Sequence, residues 1–396
     1  MPMLLRAALA FAAAVGAAVA EPLRVAVVGP PSEETVLAPL GAAIEAGGLV
    51  RTSSLARAEA LLVLRGPGSA PAPEVRRLIE AGRPTVVIGA EPAWWGDAGG
   101  FITERLGATR GAEFAGGTPL RVINLFAHPI LTGMEKLETD EAVPAWTKLT
   151  DDAQVIVEGI TGEETTPLAW VRSVGAARLC HLVPSSPALL NSTDYLRIIT
   201  HALLWTARRP IPGARPAVQR TFMPESHPGA FAVTFPEGVG VCLDPVRGGV
   251  NFAWEGDFVD LRPRWLTKQG APARIFGPVF YLEKAWRPLR GGAPGASSAW
   301  RFLGYTLHEG APRFRYDVSG REITETLRAL PDGAGFTRLF AVAAGKSPLW
   351  LTLEEQSEAE FIVEGAARDG QTVAFTSPDS GGFKITVRRR GTVLAP

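Results

Sequence analysis

Cysteine is nearly absent: Cys180 and Cys242 are the two thiols in 396 residues. No Cys-x-x-Cys-His occurs, so the chain holds no covalent haem, and two thiols allow at most one bridge in an oxidising compartment. Both lie in apolar strand-like runs, Ala177-Arg178-Leu179-Cys180 and Val239-Gly240-Val241-Cys242-Leu243, where cysteine packs as a small core residue. Histidine is scarce as well. His128, His181, His201, His227 and His308 are scattered, and none has a second histidine at metal-ligand spacing. No phosphate loop is present, and Val28-Gly29-Pro30-Pro31 puts two prolines where a dinucleotide needs an open turn. No metal and no other cofactor is therefore expected. Net charge is missing too: 40 Lys plus Arg balance 40 Asp plus Glu. That removes the bulk electrostatic case for nucleic acid or an anionic membrane, and a neutral ligand fits more easily.

What is present begins with a targeting signal. Arg6 is followed by an almost wholly apolar run, Ala7 to Ala20, and Ala18-Val19-Ala20 offers the small residues a signal peptidase requires. Residues 1–20 read as a signal peptide, the mature chain starting near Glu21 in the periplasm or outside the cell. The run is shorter than the roughly 20 residues that span a bilayer, and no later segment is long and apolar enough to do so. A transmembrane segment is therefore not expected in the mature chain.

The chain length exceeds one usual hydrophobic core, which predicts two domains. Arg24 to Gly29, Leu61 to Leu64 and Thr85 to Ile88 read as buried strands. Helical segments alternate with them, Glu74 to Ala81 being closed by Gly82. This alternation argues for a parallel sheet covered on both faces. Further strands are expected at Val122 to Leu125, Gln154 to Val157, Ala169 to Arg172 and Arg178 to Val183, then a helix from about Thr193 to Ala207. Residues 209–220 are rich in proline and arginine and read as a linker. In residues 221–396 the helical period nearly vanishes. Short runs such as Phe231 to Phe235, Gly249 to Trp254, Arg313 to Val318 and Phe383 to Arg388, separated by turn residues, predict an antiparallel β-sandwich.

Several elements of residues 22–208 carry a resemblance. They are Ala127-His128-Pro129-Ile130-Leu131-Thr132-Gly133-Met134, Thr139-Asp140-Glu141, Pro167-Leu168-Ala169-Trp170-Val171-Arg172 with Gly175 and Arg178, and the helix Tyr195 to Trp205. In this combination the α/β part resembles the ThuA-like family, named for trehalose utilisation. The resemblance implies a flavodoxin-like, class I glutamine amidotransferase-like fold and a carbohydrate-related role. Two departures stand out. The histidine that relatives place after Val86-Val87-Ile88-Gly89-Ala90 is missing, as is the one in the turn here reading Val183-Pro184-Ser185-Ser186-Pro187. Glutaminase chemistry needs a cysteine at the sharp strand-to-helix turn. Gly89-Ala90-Glu91 stands there, so that chemistry is excluded. The C-terminal part is similar to a domain of exported bacterial proteins found beside cytochrome or sugar-dehydrogenase-like modules, through Val250-Asn251-Phe252-Ala253-Trp254, Asp257-Phe258-Val259-Asp260-Leu261 and Arg264-Trp265.

In a doubly wound sheet ligands bind beyond the carboxyl ends of the strands, so the loops after Ile88, after Leu125 and before Thr147 should hold the site. Glu91, Trp94, Trp95, His128, Asp140 and Glu141 fall there. Carboxylates and an imidazole serve sugar hydroxyls, and indoles cover C–H faces. Each has a plainer reading, as a loop cap, a turn or core packing. In the C-terminal part Trp254, Asp257, Asp260, Arg264 and Trp265 form a second candidate surface, against which ordinary strand packing competes. Two functions stay open. One is binding, or transformation, of a sugar or keto-sugar in carbohydrate utilisation; the other is a non-catalytic module docking an exported redox or glycoside-degrading protein. Whether the chain is an enzyme is left open by the residues.

Overall fold

The computed structural model describes residues 21–29, 34–64, 73–89, 102–113, 120–123, 128–134, 137–139, 144–161, 164–175, 177–263, 270–293, 297–308 and 310–391. The first half opens with β1 (Arg24–Val28), α1 (Glu34–Ala46), β2 (Val50–Arg51), β3 (Ala60–Leu64), α2 (Pro73–Glu80) and β4 (Thr85–Ile88). It continues with β5 (Ala108–Glu113), β6 (Leu120–Ile123), β7 (Glu138–Thr139), β8 (Pro144–Leu149) and β9 (Gln154–Thr161). Next come β10 (Glu164–Val174), β11 (Ala177–Leu182), α3 (Pro187–Leu190) and α4 (Thr193–Thr206).

Nine of these strands form one sheet in the order β2-β1-β3-β4-β11-β10-β9-β6-β7. The first five are parallel, as expected from the buried runs in β3 and β4, whose residues are all enclosed. The other four are antiparallel. A wholly parallel sheet is therefore the wrong expectation for β6, β7, β9 and β10. Their hairpin connections need no crossover helix, and none is encoded between Gln154 and Leu182. Helix α4 closes the unit, with Tyr195, Ile199, Leu203 and Trp205 buried in the apolar core.

The second half is built of strands. They are β12 (Ala217–Arg220), β13 (Phe231–Phe235), β14 (Val239–Asp244), β15 (Gly249–Glu255), β16 (Val259–Asp260), β17 (Arg274–Ile275) and β18 (Val279–Leu282). There follow β19 (Leu289–Gly291), β20 (Trp300–His308), β21 (Ala311–Val318), β22 (Arg321–Ala329) and β23 (Gly335–Val342). The last are β24 (Leu349–Thr352), β25 (Ala359–Glu364), β26 (Ala367–Asp369), β27 (Thr372–Phe375) and β28 (Gly381–Arg389). Antiparallel sheets of five (β12-β13-β14-β15-β18), six (β20-β21-β22-β23-β28-β25) and four strands (β19-β24-β27-β26) share one core. Part of the expected linker is structured. Ala217–Arg220 pairs along β13 as an edge strand, and Ile211 is buried in the α/β core. The strands expected from Phe231, Gly249, Arg313 and Phe383 all form.

Edge strand β18 is closed by a side chain. The Gln356 amide accepts from the Leu282 N–H at 2.9 Å and donates to the Leu282 carbonyl at 3.0 Å, reproducing the pairing a neighbouring strand would make. Cys180 and Cys242 are both free and buried, and burial pushes the Cys242 thiol up to about 12. Among the described residues no helix is long and apolar enough to cross a membrane.

Candidate functional site

Of the six residues expected to line a sugar site, His128 is described; Glu91, Trp94, Trp95, Asp140 and Glu141 lie outside the described residues. The loops after Ile88 and after Leu125 were expected to open at one end of the sheet, and strand direction separates them. β6 is antiparallel to β9, β9 to β10, and β10 to β11, so the chain leaving Ile123 runs away from the carboxyl ends of the parallel strands. His128 consequently stacks near Trp205, ring centroids 5.3 Å apart, beside the amino end of β11. Ile88 instead pairs with Leu182 at the carboxyl end of that strand.

His128 caps the short 3-10 turn Pro129–Leu131, its Nδ1 accepting the Ile130 N–H at 3.2 Å. An accepting Nδ1 leaves the ring proton on Nε2. That nitrogen is enclosed, 3.7 Å from Asp257 Oδ1, and lacks a hydrogen-bond partner. Burial lowers the His128 pKa to about 4 although Asp257 pulls the other way, so the ring is neutral at ordinary pH. A side chain with no exposure meets no substrate while the two halves stay joined.

Its neighbour Asp257 comes from the turn after β15 and is 3% exposed. Asp257 Oδ2 accepts the Trp205 indole N–H at 2.6 Å and stands 3.9 Å from Arg178 Nη1. Arg178 lies over the Trp205 ring at 4.4 Å, and its Nη1 donates to the Trp205 carbonyl at 3.3 Å, in the last turn of α4. Four residues far apart in sequence thus join the halves through one carboxylate. Nearby, Arg262 bonds Asp260 and reaches Glu158 at 3.5 Å, a second tie.

Beside Arg178 and Trp205 opens a cleft of about 350 Å³ between the halves, within the size range of small-molecule sites. Its cationic walls are Arg178, Arg208, Arg209 and Arg389, and its acceptors are Glu237, Glu255 and Asp332. The charges are interleaved. Arg389 bonds Glu255, which also lies 3.9 Å from Arg208; Arg209 reaches Glu59 at 3.3 Å; and Asp332 accepts from Arg388 at 2.8 Å. Arg208 holds a left-handed backbone, φ 55°, so that the N–H groups of Arg208 and Arg209 close the end of α4 on Trp205 and Leu204 carbonyls. A non-glycine residue in that region is strained by about 1–3 kcal/mol, and such strain gathers at functional sites.

The second surface expected from sequence resolves differently. Trp254 is fully enclosed in a small apolar cluster and Asp260 is tied to Arg262, while Arg264 and Trp265 lie outside the described residues. From sequence Arg178 enters only through a resemblance, and Asp257 only within the second candidate surface, apart from His128. The available signal was a lone charge in each of two otherwise apolar runs, Ala177–Leu182 and Asp257–Val259. Among the described residues no cluster of three His, Cys, Asp or Glu side chains is placed to hold a metal ion.

No family model matches the chain. No curated protein matches it either. Among solved structures, the chain is similar to a ThuA-like protein from Bacteroides uniformis at 13% identity and a TM-score of 0.36, over 49% of this chain and 96% of that one. It is also similar to a cytoplasmic protein from Salmonella typhimurium at 12% identity and a TM-score of 0.36, covering 46% and 99%. A third similarity is to Agd3, a carbohydrate deacetylase, at 11% identity and a TM-score of 0.35, covering 51% of this chain and 35% of that one.

Proposed function

We propose that the chain is an exported, ThuA-like protein that binds a sugar or keto-sugar in the cleft between its halves. The first half is then of the flavodoxin-like, class I glutamine amidotransferase-like kind, and the second a β-sandwich. The observation that carries the reading is the cleft wall itself, where guanidinium donors alternate with carboxylate acceptors. A sugar hydroxyl both donates and accepts, so a polyhydroxylated molecule of little net charge satisfies such a wall better than an apolar one. The motif residues quoted above support the carbohydrate-related class. A role for Glu91, Trp94, Trp95, Asp140 and Glu141 belongs to the carboxyl-end loops and is tested separately, by Glu141→Gln.

The test is a thermal-shift titration of the chain from Glu21 onward with glucose, trehalose and their keto forms, since binding to the native state alone raises the melting temperature. A shift abolished by Arg208→Ala, with Glu141→Gln unaffected, supports the cleft. A shift abolished by Glu141→Gln alone moves the site to the loops, and no shift with any sugar removes the reading. Export is checked by the mass of the secreted chain, which should begin at Glu21. The docking alternative draws on edge strand β20, nine residues long, where Tyr305 and Leu307 are 42% and 58% exposed.

A further inference from the structure

In the cleft the arginines are answered by carboxylates; in a second cavity they are not. At the amino ends of the parallel strands a hollow of about 520 Å³ is lined by Arg24, Ala56, Arg57, Ala58, Glu59 and Arg83. Strand order puts them there. Arg24 opens β1, the 3-10 turn Leu55–Arg57 leads into β3, and Arg83 stands just before β4. Because β3 lies between β1 and β4, three arginines meet at one rim, on neighbouring strands about 4.8 Å apart. Two of them are anchored to that turn. Arg24 Nε donates to the Arg57 carbonyl at 3.2 Å, and Arg83 Nη1 donates to the next carbonyl, that of Ala58. A guanidinium has five N–H donors, so each keeps others for a ligand after its place is fixed. They can be reached, since Arg24 and Arg57 are exposed and Arg83 is half-buried.

The charges of this rim do not balance. Arg24 has Glu59 at 3.5 Å and Glu21 at 3.9 Å, and Glu59 is shared with Arg209 at 3.3 Å. Among the described residues no carboxylate stands within ion-pair distance of Arg57 or Arg83. Four guanidinium groups thus face two carboxylates, and the repulsion among them is relieved by an anion.

We propose that this hollow binds a phosphate or sulfate group, with Arg57 and Arg83 as its principal cations. A dianion matches the surplus of two positive charges, where a carboxylate would meet half of it. Its tetrahedral oxygens can also accept from guanidinium groups that arrive from three strands, whereas a carboxylate offers two oxygens in one plane. The site is independent of the sugar reading. Arg209, which lines the cleft, and Glu59, which lines the hollow, form the ion pair that divides the two.

The experiment is titration calorimetry of the chain from Glu21 onward at low salt and mildly alkaline pH, with inorganic phosphate, inorganic sulfate, acetate and glucose 6-phosphate. It is run on the parent, Arg57→Ala and Arg315→Ala, with melting temperatures recorded. The exposed Arg57 side chain holds no bond among the described residues, so its removal should leave the melting temperature unchanged. Arg315, paired with Glu322 on the second half, controls for the loss of one surface charge. Phosphate and sulfate should bind at one site at least tenfold tighter than acetate. Arg57→Ala should weaken both at least fivefold, and Arg315→Ala should weaken neither. Glucose 6-phosphate binding tenfold tighter than phosphate, and weakened by Arg57→Ala, would assign the anion to a sugar's substituent; equal affinities would assign it to the free ion. Acetate binding as tightly as phosphate, an equal loss in the two variants, or no saturable binding of any of the four would overturn the site.

Discussion

Strands β3 and β4, at the centre of the α/β half, bury aliphatic residues and one threonine, whereas β22 and β23 of the second half bury Arg321, Glu325 and Arg338 among theirs. Glu325 and Arg338 pair at 2.6 Å with both side chains 1% exposed, and the Tyr316 hydroxyl donates to the same carboxylate at 3.0 Å. The first core is held by shape and apolar area. The second adds a charged network whose members depend on each other, because an ion pair in low dielectric offsets its desolvation only while it is complete. The halves should therefore fail differently.

The largest difference is expected at that pair. Glu325→Ala leaves a buried guanidinium uncompensated and should cost about 3–5 kcal/mol in denaturant unfolding, while the double change Glu325→Leu with Arg338→Met should cost far less than either single one. If the single and double variants lose the same stability, the network is not coupled and the comparison breaks. Next comes the joint between halves. Asp257→Ala strips the acceptor from the Trp205 N–H and the partner from Arg178, and should cost about 2–3 kcal/mol, with the halves melting in separate calorimetric transitions.

Acid should act on the first half through its buried imidazoles. Burial holds His128 at about 4 and His181 at about 3, both below the ordinary 6.5. The unfolded chain takes up these protons first, so stability is full above pH 6.5 and is lost as pH falls from there through about 4, at about 1.4 kcal/mol per pH unit for each ring. His128→Asn, which retains a capping oxygen, should make the pH 7 to pH 5 loss smaller by about 2 kcal/mol, the share of one ring over that interval. The smallest effect has the opposite sign. Burial raises the pKa of Glu283, whose carboxylate accepts from the Tyr281 hydroxyl and the Ala285 N–H. Its contribution is full below pH 4.5 and falls as pH rises, so Glu283→Gln should gain stability at neutral pH and nothing at pH 4.

The same contrast explains what could be read in advance. β3, β4 and α4 were legible because their apolar pattern is unbroken. β22 and β23 escaped notice because Arg321, Glu325 and Arg338 occupy inward positions and erase the alternation that marks a half-buried strand. The direction of β6 leaves no mark on composition, yet it decides that His128 faces the second half and not the loop after Ile88. His128 was visible as a candidate. Asp257 was a candidate too, but on a separate surface, since nothing in either segment records that folding brings the two together.

Gln356 has a consequence for life at high concentration. An open strand edge is a template, and a second molecule adding a strand there would begin a chain of copies. By laying its own amide on Leu282, the protein occupies that template with a part that cannot be extended further. At Leu282, the last residue of β18, the place a further strand would take is filled by one side chain.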